Sequence, residues 1–256
     1  MGTSGAKPWW RESAPAHNQL QYLELRDRIA AQIQAGVLGV GDRLPSERQL
    51  EDGLGSARGT VREALFQLEA EGLIYRRDRS GWYVCPAPIL YDPTRSEGFM
   101  AYVTAQGRRP ETETLSKRLV PAPDAVAGIF GVAEGTPLYD IRRLRSIDGR
   151  SVLVERIHVN PDLAPGLIDH SLDGSLTAVL KNAYGVAAAR NRIAMKPCAI
   201  LGDDAETLRA RSGSPGLSVI RTSFDPAGRV VEYDQECWRH DAVIVSVDIR
   251  VAPPGH

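Results

Sequence analysis

Two places in the chain set arginines where ordinary folding physics disfavours them. The first is "GSARGTVREALFQLEAEGLI", residues 55–74. From Val61 onward it reads as an amphipathic helix, with Val61, Ala64, Leu65 and Leu68 at helical spacing and Ser56 as an N-cap. Yet its first turn holds Arg58, Thr60 and Arg62, at the end where unpaired amide groups already carry partial positive charge. Pairing with Glu63 or Glu69 on a solvated face is one role for these arginines; contact with a phosphate or a base edge is the other. The second place is "LYDIRRLRSIDGRSVLVERIHV", two β-like runs joined by Asp148-Gly149, a strong hairpin signal. Counting outward from that turn sets Arg142 opposite Glu155, as a cross-strand ion pair. It sets Arg143 and Arg145 opposite Val154 and Val152, on a face shared with Tyr139 and Ile141. Guanidiniums on a mainly apolar face need anionic partners, either protein carboxylates or a bound oxyanion.

The elements that must position these residues fall into two groups. "YLELRDRIAAQIQAGVL" spaces Leu23, Leu25, Ile29, Ile33 and Leu38 as one helix, with Gly36 at its end. "GDRLPSERQLEDGLG" turns at Pro45 and starts a short second helix capped by Ser46. The opening stretch is the third helix, and "LIYRRDRSGWYV" follows as two short strands around a polar turn. Three helices and a hairpin make a winged helix-turn-helix, in which the third helix enters the major groove with its N-terminal residues toward base edges. DNA then explains the misplaced cations. Arg48 on the second helix would lie over the backbone, and the wing brings Arg76, Arg77 and Arg79 with Gly81. The aperiodic, proline-rich run 86–98 reads as a linker. Beyond it the pattern is β-rich, with helices at "SLTAVLKNAYG" and "DAETLRARSG" and three strand-like runs in "LSVIRTSFDPAGRVVEYDQECWRHDAVIVSVDIRV". The expected layout is a tail at 1–18 without order, a DNA-binding domain at 19–85, the linker, and an α+β domain with an antiparallel sheet at 99–256.

Composition narrows the class without choosing it. The 256 residues carry a net charge of −1, and residues 1–96 hold twelve basic and twelve acidic side chains, so any anion site is local. Cys85, Cys198 and Cys237 lack the spacing of a disulfide framework or a zinc site. No segment reaches the roughly 20 apolar residues needed to span a bilayer, and the first eighteen hold no signal-peptide core. A cytoplasmic protein with no membrane partner is expected. No nucleophile, metalloprotease or phosphate-loop motif occurs, so neither a cofactor nor a metal is called for.

"GDRLPSERQL", "SARGTVREALFQLEAEGLI" and "RSGWYV" together resemble the DNA-binding domain of the GntR family of bacterial transcription regulators. The resemblance implies operator contacts from Arg48, Arg58, Thr60, Arg62 and Gly81; Ser56 and Arg79 are counted with them as DNA-binding candidates, Arg79 standing where many members carry a second wing glycine. "IRRLRSIDGRSVLVERIHVN", "GSLTAVLKNAYGV" and "GRVVEYDQECWRHD" resemble the effector-binding UTRA domain of the HutC subfamily, whose fold is similar to chorismate lyase. It implies that Arg143 and Arg145 bind a phosphate-like or carboxylate group, with Ser175 and Thr177 at a helix N-terminus adding hydrogen bonds. Glu232 would meet the polar remainder of the effector, and Trp238 would pack against it, although alternation alone makes Glu232, Asp234 and Glu236 a solvated face. The implied protein is a homodimeric regulator, usually a repressor, whose partners are double-stranded operator DNA and a small anionic effector. "RRDRSGWYVCPAPILYDP" and "YVTAQGRRPETETL" are similar to members tied to phosphonate use, which points to 2-aminoethylphosphonate; sugar phosphates and urocanate-type carboxylates suit the same arginines. The competing reading is an enzyme of the chorismate lyase type.

Overall fold

The computed structural model describes residues 17–54, 57–77, 80–95 and 97–249. The tail expected at 1–18 lies almost wholly outside them, as do Ser56 and Arg79. The chain forms two compact units, Met1–Cys85 and Pro86–His256.

In the first unit, helices α1 (His17–Gln34), α2 (Glu47–Leu54) and α3 (Arg58–Ala70) are followed by a hairpin of β1 (Ile74–Arg77) and β2 (Gly81–Val84). Leu25 and Ile29 of α1 and Val61, Ala64, Leu65 and Leu68 of α3 close on Leu44, Ile74, Trp82 and Val84. Leu23, expected on the same stripe, is 41% exposed. At α2 the Ser46 hydroxyl accepts from Gln49 N at 3.3 Å while the Gln49 carboxamide oxygen accepts from Ser46 N at 2.9 Å, a reciprocal cap. The N-cap position of α3 is Ala57, which offers no side-chain cap.

The second unit is built on a six-stranded antiparallel sheet. Its strands are β4 (Pro110–Pro121), β5 (Pro137–Ile147), β6 (Arg150–Val159), β7 (Arg190–Ile200), β8 (Ser214–Phe224) and β9 (Val230–Arg239), in the order β4-β5-β6-β9-β8-β7. Helices α4 (Phe99–Ala105) and α6 (Leu176–Tyr184) supply apolar side chains to clusters on one face, and α5 (Asp124–Phe130) and α7 (Gly202–Thr207) do so on the other. The run expected to be a featureless linker contains β3 (Ile89–Tyr91), which pairs in parallel with β10 (Val243–Val245). Gln106 holds Leu90 by both backbone groups, at 2.8 and 2.9 Å. A strand of three residues is too short for a periodic signal, so this docking is invisible in the sequence.

The Asp148-Gly149 turn forms as expected, with φ of 50° and 75°. The register beyond it differs from a simple count. Ile147 pairs with Arg150 and Ser146 with Ser151, but a bulge then leaves Val152 without a partner and sets Arg145 opposite Leu153. Every later pair moves by one: Arg143 faces Glu155 and Arg142 faces Arg156. The expected Arg142–Glu155 pair is therefore absent. Arg142 reaches α7 instead, donating to Asp204 at 2.8 Å and Thr207 at 3.2 Å.

Candidate effector pocket and DNA-facing groove

In the first unit, Arg48 of α2, Arg58 of α3, and Arg76 and Gly81 of the wing line one groove of about 530 Å³, together with Arg43. Arg43 sits in the approach to α2 and bridges to Tyr83 of β2, a placement that required knowing the hairpin. Gly81 has φ +103°, and a Cβ there would lie 3.4 Å from the Arg43 side chain, so the wing bends as only glycine easily allows. Arg62 is exposed one turn beyond Arg58 and lies over Phe66 at 5.6 Å, outside the groove lining. Thr60 is 4% exposed, on the buried side of α3. Four arginines line this groove against two acids, Glu47 and Glu51, and no acidic residue sits in the first turn of α3, so the local excess of positive charge suits a polyanion.

In the second unit, five of the six residues expected around an effector come together. Arg143 and Arg145 of β5, Ser175 and Thr177 at the start of α6, and Glu232 of β9 line a single cavity of about 40 Å³. Trp238 does not line it: fully buried, it packs on Phe99 at 6.1 Å and belongs to the core beneath. The face expected to be solvated is the buried one, because β9 is an inner strand with α4 and α6 elements over it; Asp234 and Glu236 are 3% and 7% exposed. Arg221 of β8 joins them in the lining.

The arginines are held from behind by Glu155 of β6, the neighbour that the bulge delivers. Its Oε1 accepts from Arg143 Nε in a short hydrogen bond and lies 2.9 Å from Arg145 Nη2. Arg143 also donates to the carbonyls of Leu172 (3.1 Å) and Gly174 (3.3 Å), and Arg145 to Thr112 Oγ1 at 3.1 Å, with its guanidinium 4.8 Å from the Phe99 ring centre. Burial pushes the Glu155 carboxyl upward, but the charges of Arg145 and Arg143 outweigh it and hold the group below the usual range. Asp234 goes the other way: burial, then the charges of Glu155, Glu236 and Glu232, raise it well above normal. Burial also raises Glu232. Ser175 caps α6, its hydroxyl accepting from Ala178 N at 3.2 Å, which leaves its proton to donate. The connector takes part as well: Tyr91 of β3 accepts from Arg221 Nη2 at 2.5 Å, and Glu97, Gly98 and Phe99 line the cavity. The sequence reading missed Glu155, Arg221, Asp234 and Glu236 as site residues. Only the parity of 232, 234 and 236 along β9 could have signalled the last two.

A winged helix-turn-helix with an arginine-lined groove in one unit, and a buried cluster of guanidiniums and carboxylates in the other, are the two parts of a transcription regulator with an effector-binding domain. Residues 21–84 match the gntR family of bacterial regulatory proteins, and residues 105–244 match the UTRA domain family. The chain belongs to the GntR family, in the HutC subfamily whose members pair these two domains. It is 32% identical over 235 residues to the Escherichia coli K12 HTH-type transcriptional regulator YihL, covering 91% of this chain and 100% of that relative. It is 25% identical to the HTH-type transcriptional repressor NagR of Bacillus subtilis, over 86% of this chain and 90% of that one. The crystal structure of PhnF from Mycobacterium smegmatis has the same fold, with a TM-score of 0.63 at 24% identity, covering 90% of this chain and 99% of PhnF. No described helix is long and apolar enough to cross a membrane.

Proposed function

We propose that the protein is a homodimeric repressor that leaves its operator when a small anionic metabolite enters the cavity of the second unit. The observation that carries this reading is the convergence of Arg143, Arg145, Ser175, Thr177 and Glu232, drawn from three elements far apart in sequence, on one cavity. The anion would lie on the two guanidiniums and the Ser175 and Thr177 hydroxyls, with the polar remainder toward Glu232. A phosphonate such as 2-aminoethylphosphonate fits that division of charge, and repression is the mode of the relative NagR. At about 40 Å³ the cavity holds a water or two, so an effector must part the 97–102 and 175–177 segments to enter. That opening is the differential interaction that any ligand-driven change requires. On DNA, two third helices would address half-sites about 34 Å apart, Arg58 and Arg62 toward the groove and Arg48 and the wing toward phosphates.

The test is fluorescence anisotropy of a labelled operator fragment, taken from the protein's own upstream region, titrated with anions. Release by one phosphonate or sugar phosphate, abolished in the Arg143→Ala/Arg145→Ala variant that still binds DNA, is the expected result. Release that persists undiminished in that variant would remove the anion pocket from the mechanism.

A further inference from the structure

The cavity is lined by more carboxyl groups than an anion receptor needs. Its buried wall carries three guanidiniums, Arg143, Arg145 and Arg221, against four carboxylates, Glu155, Glu232, Asp234 and Glu236. Glu155, Asp234 and Glu236 each bring an oxygen within 4.8 Å of the others. Two of these three are already engaged. Glu155 Oε1 takes both Arg143 and Arg145, while Glu236 Oε2 accepts from Trp238 Nε1 at 2.6 Å and its Oε1 from Arg221 at 3.4 Å. Asp234 differs: its Oδ1 is buried and has no hydrogen-bond partner, although its side chain lines the cavity. Arg221 stands directly across from Asp234 on β8, yet its Nη2 bonds to Tyr91 and Glu236. An orphaned carboxylate oxygen in a closed site is costly unless a donor arrives with the ligand.

We infer that Asp234 is the seat for a cationic group, so the effector is a zwitterion that carries an amine as well as an acidic group. This rests on the anion pocket proposed above and adds its opposite pole. Adding a dianion alone would leave the cavity more negative in a poorly solvated site; an ammonium placed on Asp234 offsets that and satisfies the free oxygen. A divalent metal fits less well than an ammonium. Two of the three carboxylates are committed to guanidinium or indole donors, which leaves a metal one free ligand beside three positive charges. The directional N–H bonds of an ammonium need no more than Asp234 and a shared lone pair of Glu236 or Glu232.

The experiment is calorimetric titration of the full-length protein with matched pairs that differ in the amine: 2-aminoethylphosphonate against ethylphosphonate, and glucosamine 6-phosphate against glucose 6-phosphate. MgCl2 and MnCl2 are titrated alone. In at least one pair the amine member should bind 30-fold or more tightly. Asp234→Asn should erase that margin by weakening the amine member, while the amine-free member binds no more weakly than it does to wild type. Operator binding by the variant reports its folding, and Asp234→Ser provides a second form if Asn misfolds. Equal affinity of both members of each pair, or an equal loss for both in the variant, would overturn the zwitterion assignment while leaving the anion pocket intact. Thermal stabilisation by either metal, lost in Asp234→Asn, would give the site to a metal instead. If no member of either pair binds wild-type protein, the anion pocket and its opposite pole fall together.

Discussion

Glu155 is the residue on which the arginine end of the cavity depends. Removing its charge with Glu155→Gln leaves two buried guanidiniums without their carboxylate, and breaking a buried pair in this way costs about 3–5 kcal/mol, read as a lower urea midpoint. Millimolar phosphate should then stabilise the Gln variant more than wild type, because the anion takes the vacated role; an equal effect on both would show that phosphate does not reach the arginines. The pH response has a defined sign. Glu155 sits below its ordinary value of 4.5 when folded, so its contribution is full above 4.5 and is lost as pH falls through the depressed folded value. Asp234 works oppositely. Its folded value lies well above 3.8, so the unfolded chain gives up the proton first and the penalty on folding grows as pH rises from about 4. Asp234→Asn should therefore raise the melting temperature by several degrees at pH 8 and by little at pH 4, without ligand. A variant less stable at both would mean that Asp234 has a structural partner.

At the scale of elements, the bulge at Val152 decides which acid serves the site. Without it Glu155 would face Arg142, as counting from the turn suggests, and Arg143 would have a valine opposite. The strands, the Asp148-Gly149 turn and the face of Arg143 and Arg145 were legible because alternation and turn chemistry are local. The bulge, the identity of the inner strands and the burial of Asp234 were not, because they follow from pairing β6 with β9 some eighty residues away. The same limit applies to the burial of Trp238 and Thr60, which tertiary packing decides. A second buried ionic group lies just beyond β9, where Asp241 accepts from Arg150 Nη2 at 2.5 Å and from Arg239 at 3.2 and 3.3 Å. Burial pushes its carboxyl up, but Arg150 and Arg239 prevail and bring it down to about 2. From 3.8 to about 2 is a contribution of about 2 kcal/mol, complete above pH 4 and lost as pH falls toward 2. Acid unfolding of Asp241→Asn should lack that portion of the wild-type slope.

For the molecule as a whole, the near-zero net charge provides no general basic field, so the operator contacts proposed above must come from a local cluster such as the Arg43, Arg48, Arg58 and Arg76 groove. Operator affinity should fall steeply with salt, and Arg48→Ala should reduce the slope of log K against log salt by about 1 while weakening all sequences alike. Arg58→Ala should instead relax discrimination at particular base pairs; a uniform loss would reassign Arg58 to the phosphate backbone. The connector has a bearing on how such regulators could be recombined. Because β3 is a strand of the effector unit and Tyr91 holds a pocket arginine, the segment between the domains is not spare tether. A chimera that grafts a foreign DNA-reading head at Cys85/Pro86 keeps the sensor whole, whereas one joined at residue 98 amputates it. Sensing in such hybrids should survive the first junction and vanish at the second, so the interchangeable part of this protein ends thirteen residues earlier than its composition suggests.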